Sequence, residues 1–125
     1  MTASESHREL RQAWGVERSA ARAARLNNDD NVEWAHLERA HILSQPMALP
    51  HVRTHVAMLR SGLRRHDRRE IVGQTLRVLV AGPGSLTGRY PRGNTGGANV
   101  RATLVMPIPE DLQQILDVRP PSSRP

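Results

Sequence analysis

Apolar residues recur every three or four positions through the first 81 residues, the period of helices that each bury one face. Leu10, Ala13, Trp14, Ala20, Ala21 and Ala24 mark the first stripe and predict a helix over about 5–26. The polar run NNDDN ends it and places Asp30 or Asn31 to cap a second helix over about 31–44. Pro46 and Pro50 bracket the next connection. Pro50 suits the first position of a third helix, about 50–65, along Val52, Val56, Leu59 and Leu63. The sequence RHD then turns the chain into a fourth helix, about 68–81, which GPG at 82–84 is expected to stop.

Beyond that point the pattern changes. A Gly-rich loop fills 82–99, RATLVMPIP reads as extended, and a short helix is expected over 109–116. Glu110 and Asp111 favour its positive N-terminal end. Residues 119–125 read as a disordered tail. These elements predict one all-α domain over 1–118, with two antiparallel helical hairpins and the Gly-rich loop and short C-terminal helix packed across them. ERAHIL (38–43) and QTLRVL (74–79) echo one another 36 residues apart. That period resembles tetratricopeptide-type hairpins; a four-helix arrangement is the other packing the pattern permits.

Composition narrows the core and the chemistry. Among the 125 residues the aromatics are Trp14, Trp34 and Tyr90, so the core must be aliphatic, which suits packed helices. All 18 basic residues are Arg, and the formal charge is +6. Arg8, Arg11, Arg18, Arg22 and Arg25 alternate with Glu5, Glu9 and Glu17, as on a solvated helix face, which argues against nucleic-acid binding. The chain has no Cys, which removes disulfides, thiolate chemistry and Cys-based zinc sites. No apolar run approaches a membrane span or a secretory signal, so a soluble cytoplasmic protein is expected. Ser44, Ser61 and Ser85 lack the context of a nucleophile.

The informative positions are polar residues standing where the helix period calls for apolar ones. They are Glu17 in the first helix, His41 in the second, His51 and His55 in the third, and Gln74 in the fourth. Glu38 and Gln45 lie three before and four after His41 and share its face. Two His at i and i+4 can aim at one point, and Glu-x-x-His presents a carboxylate and an imidazole from one turn. If the first three helices pack together, His41, His51 and His55 with Glu38 or Glu17 form a set suited to a divalent transition metal, zinc or iron foremost. Glu17 is equally placed to pair with Arg39 or Arg53, and such a buried ion pair requires no metal. His7 and His66 read as surface residues and His36 lies well round the second helix from His41, so all three fall outside the set.

In GNTGGAN (93–99), glycines permit an anion-binding nest or a tight loop packed across the helices, and the second is favoured. Asn94 and Thr95 would then reach a ligand bound nearby, beside Gln45 and Gln74.

HLERAHILSQ, HVRTHVAML, GQTLRV, GNTGGAN and MPIPEDL together resemble an uncharacterised bacterial family, domain of unknown function 3703, from about Leu10 to Leu116. The resemblance implies a small helical protein of unassigned activity. It picks out His36, Glu38, His41, Gln45, His51, His55, Gln74 and the loop from Gly93 to Asn99. Ser44, and AGPGS at 81–85, depart from the family pattern as expected there. The leading functional expectation is metal binding, with catalysis left open. The alternative is a tetratricopeptide-like module that binds a protein partner or a second copy of itself.

Overall fold

A computed structural model describes residues 2–117, so the expected tail over 119–125 lies outside the described residues. Five helices and no strand are found among them: α1 (Ala3–Leu26), α2 (Asp30–Ser44), α3 (Ala48–Arg64), α4 (Arg68–Thr87) and α5 (Glu110–Asp117). The class is all-α. Short connections at 27–29, 45–47 and 65–67 fold each helix back on its predecessor. The most extensive packing joins α1 to α2 and α3 to α4, and α2 links the two pairs.

Local chemistry sets the helix starts. Thr2 and Glu5 form a reciprocal capping box on α1. Asp29, rather than Asp30 or Asn31, caps α2, because Asn28 at φ 56° turns the chain one residue earlier and the Asp29 carboxylate accepts from the Val32 N–H. Pro50 is the third residue of α3 rather than its first, still within the turn whose N–H groups have no helical partner. Asp67 caps α4 through the Glu70 N–H.

The fourth helix differs most from expectation. It continues through Pro83 and stops six residues later than 81, at Gly88 in the left-handed conformation. Pro83 removes one helical N–H, a local cost. The added turn recovers it in tertiary bonds: the Ser85 hydroxyl donates to the Gln45 carbonyl at 2.5 Å and lies 2.8 Å from His51 Nδ1.

Two apolar clusters hold the helices. Leu10, Ile42, Leu43 and Leu112 are buried where α1, α2 and α5 meet, with Trp14, Ile108 and Ile115 against them. Ala21, Leu37 and Met58 form the second, where α1, α2 and α3 meet. Each fully buried Leu or Met contributes about 1.5–3 kcal/mol. Trp14 Nε1 donates to Thr54 Oγ1 at 2.9 Å and Thr54 Oγ1 donates to the Pro50 carbonyl, which fixes α1 against the start of α3. Between the α2–α3 connection and α4 the interior turns polar, with His41, His51, His55 and Gln74 all buried.

Candidate metal centre

His41 lies in the last turn of α2, and His51 and His55 lie one turn apart in the first half of α3. The 45–47 connection is short enough to bring these two helix regions together. His41 Nε2 is 3.0 Å from His55 Nε2 and 3.1 Å from His51 Nε2. One nitrogen from each ring lies within 4.8 Å of the other two. The ring planes of His51 and His55 stand at 65° and 69° to that of His41, so edges converge rather than faces.

The far side of each ring fixes its proton. His41 Nδ1 is 2.6 Å from the Asn94 carbonyl, which can only accept, so Nδ1–H donates. His51 Nδ1–H donates to the Ala81 carbonyl at 3.1 Å and to Ser85 Oγ, whose own proton is given to Gln45. His55 Nδ1–H donates to Gln74 Oε1 at 2.6 Å, and that amide is oriented because its Nε2 donates to Glu70 Oε2 and the Gly96 carbonyl. With each proton on Nδ1, three Nε2 lone pairs face one another. Three such buried donors could hold a metal ion.

The rest of the chain around this cluster agrees with one family. Residues 8–116 match the family described as "Protein of unknown function (DUF3703)". The chain belongs to it. No curated protein and no solved structure matched the chain. In this DUF3703 chain the matched span includes all three imidazoles and every partner just described.

Burial pushes all three imidazoles toward the neutral form. His51 and His55 are lowered to about 4 and His41 well below its ordinary value. Desolvation is the main cause in each, and the neighbouring rings and Arg77 add to it at His41 and His55. Groups whose native pKa is depressed hold fewer protons folded than unfolded. Their stabilisation is therefore complete above an unfolded value near 6.5 and is lost as pH falls from there toward 4. The urea midpoint of metal-free protein should be constant above pH 7 and fall steeply between pH 6 and 4; a flat midpoint across that range would contradict the buried neutral cluster.

The carboxylates go elsewhere. Glu17 is buried, as its place on the stripe requires, but it accepts from Arg39 Nε at 2.9 Å and pairs with His36 Nδ1 at 2.7 Å. Arg39 also reaches Asp111 at the start of α5, so this network ties α1, α2 and α5 together. Glu38 is half-buried and hydrogen-bonded to Thr95, and burial raises its pKa. Neither carboxylate is in the close group formed by the histidines. Of the two pairings open to Glu17, the structure forms the one with Arg39.

The Gly-rich loop packs tightly across the helices. Gln45 Nε2 donates to the Pro91 carbonyl and its Oε1 accepts from the Gly93 N–H. The Asn94 amide donates to the Arg101 and Leu104 carbonyls, and its Oδ1 accepts from the Gly96 N–H. Gln45, Asn94 and Thr95 thus bind the loop, and Gln74 positions His55. Gly96, at φ 86°, lies on the His41 ring so closely that a Cβ there would stand 2.6 Å from Cγ and Cδ2.

Sequence reasoning did not find Glu70, Ser85 or Arg77. Glu70 stands four residues before Gln74, a spacing that was available as a signal, and its Oε1 also accepts from the Ala98 N–H at 2.8 Å. Replacing Gln74 with Leu would leave the His55 Nδ1–H and Glu70 Oε2 without this partner. Urea unfolding of Gln74→Leu should show a loss of about 2 kcal/mol; unchanged stability would mean that Gln74 does not hold the ring.

Proposed function

We propose that this protein binds a divalent transition metal through Nε2 of His41, His51 and His55. One observation carries the reading: all three Nδ1–H groups are spent on oxygen acceptors, so three Nε2 lone pairs converge with no proton between them. Without a cation, lone pairs at 3.0 and 3.1 Å repel. A proton is a poor substitute, because burial depresses the basicity of every ring. A metal at the usual zinc–nitrogen length separates tetrahedral ligands by about 3.3 Å, close to the 3.0 and 3.1 Å from His41 Nε2 to its two neighbours.

The donor set narrows the metal. Three neutral imidazoles, with no carboxylate in the group and no thiolate in the chain, suit zinc or iron(II) better than calcium or magnesium. Zinc fits best, since three protein ligands and an open fourth position are its habitual arrangement outside purely structural sites. An open position permits hydrolytic or Lewis-acid chemistry as a secondary role.

Elemental analysis of tag-free protein, before and after equilibration with zinc or iron(II), tests the reading. About one ion per chain is expected. His41→Ala and His55→Ala should lose it, and Glu17→Gln should keep it. Protein that neither carries nor takes up either metal overturns the proposal.

A further inference from the structure

A cavity of about 440 Å³ adjoins the three imidazoles, a volume typical of small-molecule sites. Its character is unbalanced. None of the described residues lining it is acidic, whereas Arg77 and Arg89 both reach it. Three neutral imidazoles and a divalent ion leave two positive charges uncompensated, and Arg77 adds a third. Glu70 offsets part of the Arg77 charge through space, but it does not line the cavity, and its oxygens accept from the Ala98 N–H and the Gln74 amide. Arg77 is held against the loop by hydrogen bonds from Nη1 to the Gly96 carbonyl at 2.9 Å and from Nη2 to the Val100 carbonyl at 2.8 Å. It is therefore a fixed charge rather than a mobile surface one.

The remaining wall is mostly hydrocarbon, from Val80, Ala81, Pro83 and the Tyr90 ring, with Thr87, Arg89 and Thr103 as its polar members. A phosphate dianion carries charge on every side and would leave that apolar stretch without a partner. A carboxylate needs two partners, and a metal beside a guanidinium supplies them.

We infer that the cavity binds a small monocarboxylate with an apolar body, its head on the open metal position facing Arg77 and its body along Val80, Ala81 and Pro83. The inference rests on the metal reading above and names the ligand class of the same site. Val80, 62% exposed, marks where the cavity reaches the surface and where the ligand enters.

The test uses cobalt(II)-loaded protein, whose visible spectrum reports the coordination sphere, with calorimetry for affinity. Hexanoate, acetate, hexanol and inorganic phosphate are the probes. Hexanoate should perturb the spectrum and bind at least tenfold more tightly than acetate, since each buried methylene is worth about fourfold. Arg77→Met should weaken hexanoate at least tenfold while the cobalt spectrum of the free protein persists. Val80→Trp, which removes no hydrogen bond, should weaken hexanoate selectively and leave acetate unchanged. Equal affinity for hexanoate and acetate, tighter binding of phosphate or hexanol, or a bound cobalt ion indifferent to all four would overturn the inference alone. Failure of cobalt to bind at all would overturn the metal reading, and this inference with it.

Discussion

Zinc at about a thousand times its dissociation constant should add roughly 4 kcal/mol to the unfolding free energy, because the three ligands converge only in the folded chain. For a domain of this size the melting temperature should rise by roughly 15 °C. The size of the effect follows from the connectivity. His41 comes from α2 and His51 and His55 from α3, so one ion held by all three would tie the two helical hairpins at their junction. His41→Ala and His55→Ala should each reduce the increment to no more than a degree or two. The comparison is within each variant, with and without zinc, so any change in metal-free stability cancels. Differential scanning calorimetry in zinc buffered by a weak chelator makes the measurement. An equal rise in wild type and both variants would show that zinc acts elsewhere.

Gly96→Ala is the second change expected to have a large effect. Two costs act together at that residue. Its φ of 86° is strained for any side chain, and the new Cβ would lie 2.6 Å from two atoms of the His41 ring. The ring cannot simply retreat, since the Asn94 carbonyl holds Nδ1 on one side and two imidazole edges face it on the other. We expect a loss of about 3 kcal/mol, seen as a melting temperature lower by roughly 10 °C. Zinc affinity should fall at least tenfold in competition with a chelator, because the substitution tilts a ligand. Gly97→Ala is the control. Its Cβ would meet mainly the exposed Asn99 side chain, at 2.4 Å, which can swing aside. That variant should keep its zinc affinity. Equal behaviour of the two would mean that Gly96 does not set the position of His41.

The sequence carried the helices and much of the polar interior because both follow from one period. Glu17, His41, His51, His55 and Gln74 occupy positions where that period demands burial, and all five are buried. Periodicity gives direction but not partner. It points Glu17 inward without choosing between an imidazole cluster and the ion pair with Arg39 and His36. That pair became legible only once α1 and α2 were placed side by side, with His36 and Arg39 three residues apart on the facing surface.

Backbone groups explain most of what stayed hidden. The carbonyls of Asn94 and Ala81 orient two of the three imidazoles, and a carbonyl leaves no mark on residue type. Ser85 was hidden by Pro83, which normally ends a helix. Yet Gln74, Ala81 and Ser85 are spaced by seven and four and share one buried face, so the period itself continued past the proline. Glycines 93, 96 and 97 pointed to close approach, and the structure identifies what approaches: Met106, the His41 ring, and the Asn99 side chain with Trp34 behind it.

Long-range nitrogen–proton correlation NMR of the histidine rings tests the central claim most directly, because it reports which ring nitrogen carries the proton. In the neutral, metal-free protein His41, His51 and His55 should each carry it on Nδ1 and present a bare Nε2. One equivalent of zinc should then shift all three Nε2 resonances and leave the three Nδ1–H groups in place. A proton on Nε2 of any of the three, or zinc that leaves their Nε2 resonances unmoved, would contradict the account.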